Sequence, residues 1–577
     1  MQAFWRFEID RMPERSQVTG MTEKIRIKII SDNDVIEVME PPGISLEELA
    51  ARYYDRSAGY FPVFANVNDV GRDLLYRISR PAVVRFIDLR SRLARLVYQR
   101  SIYFLYLVAL NEIDPDARPI LKHPLNDGIY VKIKNQPDSP AETEWRIEKR
   151  MRELIQEDVS FSRKIIRRKE ILSDQPPKNM TKEQIEYIRN CDIREVFEYS
   201  CRGFSEIFYD PLIASARTLD LFQIVPYRGG AIIRVPQYRS TKSLPEYRDD
   251  KKLYEAFLEE AEWNRNVGVW YMSDLNRKIM DGEWHDLILL NEALQEKKTA
   301  AIADDIIRKK RRIILIAGPS SSGKTTFAQR LCIQLRVNGK RPLYMGTDDY
   351  FVERDQAPVD EFGKFNFEDL DAVDVNLFNE QMNDLLAGKV VDMPVFDFIK
   401  GSKRYGTRIT RAEEDQPIVI EGIHALNAKL TEDIAEEEKY RIYISPLTTL
   451  NIDDNNRIPV SDLRLVRRIA RDIRSRGRTA SQTLSEWVKV RAGEVKNIFP
   501  YSVTADVFFN SAFMYEWAML KPVVKDSLEE IREEDENYLE AERLLRILRC
   551  VRSLKNSDDI SNNSIMREFL GGGIWVK

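Results

Sequence analysis

Histidine is almost missing from this chain, with three residues in 577, and its four cysteines (Cys191, Cys201, Cys332, Cys550) form no CxxC pair. That supply is too thin for a thiolate and imidazole zinc site, and the cysteines read as buried, reduced thiols. No apolar run approaches the roughly 18 residues of a membrane-spanning helix. The start, MQAFWRFEIDRMPERSQVTG, mixes charge where a signal peptide would carry an apolar core. The expectation is a cytoplasmic protein without membrane contact. An excess of base is missing too: 89 Lys and Arg against 93 Asp and Glu leave a net charge of -4, so any nucleic acid would have to meet a local patch. There is no internal repeat and no low-complexity tract. What remains is a soluble, globular composition, 43% hydrophobic and 32% charged, on a chain too long for a single core and long enough for three or so domains.

Residues 1–20 read as an N-terminal extension. From Lys24, KIRIKIIS alternates charge with isoleucine and DVIEV follows an Asn/Asp turn, which predicts a half-buried β-hairpin. Ser45 and Glu48 have capping-box spacing ahead of a helix. With further strands at FPVFANVND and AVVRFIDL, residues 21–91 form a small β-grasp-like domain. Residues 92–240 mix an apolar helix, YQRSIYFLYLVALNEI, with the strand GIYVKI and the charged helix EWRIEKRMRELIQED, which makes a second, α+β domain. Residues 241–311 are a helical connector, 312–525 a doubly wound α/β domain with a parallel sheet, and 526–577 a C-terminal helix and tail.

GPSSSGKT, Gly318 to Thr325, fits the pattern G-x-x-x-x-G-K-[ST]. It lies between a buried-strand run, Ile313 to Ala317, and a helix with Phe327, Leu331 and Leu335 on one face, closed by Gly339. This is the setting of a phosphate-binding loop. Gly318, Pro319, Ser320, Ser321, Ser322, Gly323, Lys324, Thr325 and Thr326 would cradle the phosphates of ATP, with Lys324 on the β/γ-phosphates and the Thr325 hydroxyl on Mg²⁺.

RPLYMGTDDYF is an apolar strand ending in Asp348 and Asp349, at the strand end where an α/β fold presents its chemistry; a carboxylate there can take the proton from an attacking hydroxyl, or merely cap a loop. QPIVIEGIHAL ends in Glu421, placed to hold Mg²⁺ or its waters, and His424 beside it reads as structural. DLRLVRRIARDIRSRGR sets Arg464, Arg467, Arg468, Arg471 and Arg474 on one helical face, with Arg476 and Arg478 beyond. After a phosphate loop, such a run predicts a mobile arginine lid over transferring phosphates.

These motifs, with FNFEDLDAVD and PVFDFIKGSK between them, stand in the order seen in uridine kinases, and Ile313 to Val524 resembles the uridine kinase and phosphoribulokinase group of P-loop kinases. The resemblance implies an ATP- and Mg²⁺-dependent phosphotransferase acting on a hydroxyl of a nucleoside or nucleoside-like sugar. In it Asp348 would be the general base, Glu368 a ligand of ribose hydroxyls, Phe396 a stacking platform and Arg468 a substrate contact. Arg471, Arg476 and Arg478 would clamp phosphates, while Thr325 and Glu421 would hold the metal. Pyrimidine-specific members carry a base-reading histidine where this chain has Gly401, so restoring it by Gly401→His should shift preference towards uridine or cytidine. The segment 445–462 exceeds what simple uridine kinases carry.

Upstream, residues 24–90 resemble the TGS module and 93–236 the second additional domain of threonyl-tRNA synthetases. In that domain an editing site uses four His and Cys ligands; the matching positions here are Phe104, Val108, Phe208 and Leu212, which implies that editing is absent. The implied partners are a small-molecule acceptor, RNA or a nucleotide at the N-terminal domains, and further copies of the chain in a homo-oligomer. The alternative reading is a regulatory or RNA-associated P-loop ATPase that uses its upstream domains to bind tRNA or the ribosome.

Overall fold

Alternation in the first strand does what it predicts: in Ile25–Ile30, Ile27 and Ile29 turn inward while Arg26 stays exposed. A computed structural model describes residues 24–31, 34–57, 59–68, 70–134, 141–177, 179–237, 241–359 and 365–575; the expected extension 1–20 lies outside them. Ile25–Ile30 pairs antiparallel with Val35–Glu40 and parallel with Ala82–Asp88, giving a five-stranded mixed sheet with one central parallel pair. The helix Leu46–Tyr53 packs on it, opened by the Ser45 and Glu48 capping box.

Arg92–Ile113 then forms a long helix, buried along its second half because apolar residues occupy every face from Ile102 to Leu110. A four-stranded and a three-stranded antiparallel sheet pack around it. Phe104, Val108, Phe208 and Leu212 are all at most 2% exposed, and Phe104 meets Phe208 and Phe161 edge-on at 5.8 and 4.9 Å. The positions that matched editing ligands are interior packing.

The third unit is a five-stranded, all-parallel sheet in the order Leu343–Gly346, Ile418–Glu421, Ile313–Ala317, Lys439–Ser445, Val507–Asn510. Its central strand is entirely buried, as its unbroken apolar run requires. The helices Lys251–Val267 and Trp284–Arg308 do more than connect: Glu260 accepts from Asn510 at 2.5 Å, Gln295 donates to the carbonyls of Asn510 and Ala512, and Glu296 pairs with the buried Arg330 at 2.6 Å.

Segment 445–462, unassigned in sequence, clips the parallel-sheet unit to residues 121–207. Asn451 donates to Leu121 O at 3.0 Å, Leu121 N–H to Asp454 O at 2.8 Å, Asn456 to Ile207 O at 2.9 Å, and Gln184 to Asp453 at 3.0 Å. Short Asn and Asp side chains suit this, since each can satisfy main-chain groups of the neighbouring domain at close range. The clip runs directly into the helix Val460–Arg476. There Asp462, fully buried, accepts from Arg543 of the C-terminal helix Tyr538–Arg549 at 2.6 Å and pairs with Arg92 of the second domain. Three distant stretches of sequence thus close on one carboxylate.

Candidate active site

At the carboxyl end of Ile313–Ala317 the chain curls through 318–323 and enters the helix Lys324–Val337. Ser321 at φ +61° and Gly323 at φ +85° supply the left-handed turns that aim loop N–H groups and the helix N-terminus at one point, an anion cradle. The Lys324 amine arcs back to donate to Gly318 O at 2.9 Å. The Thr325 hydroxyl donates to Glu421 Oε1 at 2.9 Å. Glu421 ends the neighbouring strand, level with Ile316 on one side and Gly346 on the other. A hydroxyl beside a carboxylate, next to a phosphate cradle, is an oxygen donor set that fits Mg²⁺.

Directly after Gly346, the single 3-10 turn Thr347–Tyr350 carries both aspartates side by side. Asp349 accepts from Arg408 at 2.7 Å and is neutralised by it. Asp348 is exposed to the cleft, and among the described residues no hydrogen bond or ion pair engages its carboxylate. Desolvation, then the charge of Glu421, push its pKa up to about 7, against the pull of Lys324. Glu368 faces the same cleft. Its carbonyl is held by Asn497 at 2.5 Å, and burial, then Glu494, hold its carboxyl above the usual range while Arg468 opposes them. Asp348, Glu368, Glu421 and Lys324 therefore share one electrostatic neighbourhood. Phe396 is 5% exposed and meets Phe351 and Phe398 edge-on at 5.6 and 5.2 Å. His424 is fully buried and kept neutral, its pKa pushed down by burial to about 4.

The arginine run corrects the sequence reading. Arg464, Arg467 and Arg468 are 3%, 0% and 6% exposed, and they brace the phosphate loop from behind instead of lying over it. Arg464 donates to Ser320 O at 3.2 Å, Arg467 to Ser321 O at 3.3 Å, and Arg468 to Ser320 Oγ at 2.8 Å. Buried acids compensate them: Glu494 pairs with Arg464 and takes the Ser320 N–H at 3.0 Å, and Glu516 pairs with Arg467 at 2.5 Å. Arg468, expected to contact substrate, is thus tied to the loop. Arg471 and Arg476 lie 3.3 and 3.5 Å from the buried Asp472, and Arg478 pairs with Glu486. Glu494, Glu516 and Arg408 carry no motif, and only their tertiary pairing reveals them.

Gly401 brings a second correction. It closes the hairpin between Val395–Asp397 and Ser402–Arg404 at φ +71°, and a Cβ there would lie 2.6 Å from Arg354 Nε and 2.7 Å from Arg354 Cβ. Arg354 is itself held, donating to Phe398 O at 2.5 Å and through its N–H to Gly401 O at 2.9 Å. Histidine at 401 would cost about 1 kcal/mol in backbone strain and also displace Arg354. Gly401→His alone is therefore expected to lower kcat/KM for every nucleoside instead of shifting preference. The double variant with Arg354→Ala is the one in which a base preference can emerge, read as the uridine to purine-nucleoside ratio of kcat/KM.

Residues 313–515 match the model of the Phosphoribulokinase / Uridine kinase family. The uridine kinase of Lactobacillus helveticus is 30% identical over 183 residues, spanning 32% of this chain and 76% of that protein. The uridine kinase of Chloroflexus aggregans is 31% identical over 194 residues, spanning 33% and 83%. The chain belongs to this family. A possible uridine kinase from Bacillus stearothermophilus, a solved structure, is 22% identical over 35% of this chain and 89% of its own, with a TM-score of 0.21. The protein is an ATP-dependent kinase, and the matched span begins with the strand that delivers the phosphate loop.

Proposed function

We propose that this kinase moves the γ-phosphoryl group of ATP to a hydroxyl of a nucleoside or nucleoside-like sugar. The observation that carries the reading is Asp348: of the two adjacent aspartates it is the one without an arginine partner among the described residues, and its pKa of about 7 suits a base that works near neutrality. The loop N–H groups and Lys324 would hold the β/γ-phosphates, and Thr325 with Glu421 would hold Mg²⁺. When bound, the metal neutralises charge on the phosphates. Glu368 orients the sugar hydroxyls, and Phe396 is the stacking platform for the acceptor. Asp348 takes the hydroxyl proton as the oxygen attacks phosphorus, the bond to the β-phosphate oxygen breaks, and ADP leaves. Arg471, Arg476 and Arg478 reach the phosphates only by leaving Asp472 and Glu486. With Gly401 where a base reader stands in pyrimidine-specific enzymes, bases are discriminated weakly. Losing one such hydrogen bond is worth about 1–3 kcal/mol, or roughly ten- to a hundredfold in selectivity.

A panel of nucleosides incubated with ATP and Mg²⁺, scored for phosphorylated product, tests this. Product from several ribonucleosides supports the reading. ATP hydrolysis without any phosphorylated nucleoside, and only when RNA is added, would give the protein to the regulatory ATPase class.

A further inference from the structure

Beyond the family match, which ends at residue 515, the chain returns to the phosphate loop. Ile565, Met566 and Phe569 are fully buried, so the C-terminal segment is locked into the fold. Ile565 packs against Gly323, leaving no room for a β-carbon on the last loop residue. Phe569 lies under the Arg467 guanidinium at 4.8 Å, and Arg474 donates to Glu568 O at 2.8 Å. These contacts aim the Glu568 side chain at the loop. Its Oε2 accepts from the Thr326 hydroxyl at 3.2 Å, in the first turn of the helix whose N-terminus forms the cradle.

We propose that Glu568 is a resident anion of the nucleotide site, a specificity-determining residue that sets how strongly the site distinguishes nucleotides by charge. This rests on the nucleotide-binding reading above. The group is 8% exposed, and the charges that act on it are Arg471 of the arginine helix, Lys324 of the loop helix and Glu421 of the neighbouring strand. Lys324 and the helix N-terminus are the features a triphosphate also needs. A buried carboxylate that shares them competes with the incoming phosphates, and the competition grows with each charge the ligand brings. Burial holds the Glu568 carboxyl above the usual range, and Arg471 and Lys324 pull it back towards the ionised form.

The test uses the full chain without acceptor: calorimetric titration with AMP, ADP and ATP of the unaltered protein and of Glu568→Gln. Glutamine keeps the size and can still accept from Thr326. The gain in affinity should be near unity for AMP, a few-fold for ADP and about tenfold for ATP, an effect equivalent to about 1.4 kcal/mol. A purely structural role would move all three alike. Should the glutamine variant not fold, Glu568→Leu removes the same charge beside the fully buried Ile565, Met566 and Phe569, with the same series expected. A ratio that is flat across the series, or weaker binding of ATP, overturns the proposal for Glu568. If neither the unaltered protein nor the variant binds any nucleotide, the nucleotide-binding reading itself falls.

Discussion

Replacing Lys324 by alanine should reduce kcat/KM for ATP by about a hundredfold to a thousandfold while the protein stays folded. The amine is the loop's own cation, and the contacts it makes here are to the Gly318 and Pro319 carbonyls at 2.9 and 3.4 Å. Charge-assisted hydrogen bonds of this kind are worth about 1.5–3 kcal/mol each, and one or two lost from the transition state give that range of rate. The fold should hardly notice. The first helical turn keeps Thr326 and Phe327 buried, and the loop remains braced by Arg464, Arg467 and Arg468. Steady-state kinetics beside a thermal melt check both halves: turnover near the unaltered level with an unchanged Tm would mean that the cradle is not the active site. A collapsed Tm would instead show that Lys324 holds the loop together.

What was legible in the sequence was what is local. The phosphate loop could be read because a buried strand, a glycine-rich turn and a helix are consecutive, and each obeys its own short-range rule. The N-terminal hairpin and the Ser45 capping box were readable for the same reason. The arginine helix was misread because i, i+3 and i+4 spacing defines a face but does not say what the face meets. Glu494 and Glu516, which neutralise it, lie 30 and 49 residues away from their partners. Gly401 was read as a missing side chain, whereas its positive φ and the Arg354 packed against it are properties of a turn that one-letter codes do not show. The clip at 445–462 was opaque because its Asn and Asp side chains bond to main chain of another domain, a pairing with no side-chain pattern on the receiving end. The C-terminal tail looked like an appendage, since nothing in its composition states that Ile565 and Glu568 return to residues more than two hundred positions earlier.

Asp348→Asn should cut phosphoryl transfer by about a hundredfold or more and leave ATP binding in place. A general base contributes about 10²–10⁴-fold, and it does so in the transition state, so kcat falls and nucleotide affinity does not. The geometry makes the substitution a clean one. The Asp348 carboxylate engages no hydrogen bond or ion pair among the described residues, so an amide of the same shape breaks no side-chain contact. One negative charge also leaves the neighbourhood of Glu421 and Glu368, which can only help an anionic ligand bind. The pH profile supplies the sharper test. With a pKa near 7, the carboxyl is protonated and idle on the acid side, and kcat/KM for the acceptor should climb as pH rises through about 7. In the asparagine variant that limb should vanish, leaving a low, flat rate. Glu421 is the competing assignment, because it pairs with Thr325 and would hold the metal. If Asp348→Asn instead weakens ATP binding in the presence of Mg²⁺ while the transfer rate per bound complex is kept, then Asp348 is a metal ligand and the base must be sought elsewhere in the cleft, with Glu368 the next candidate.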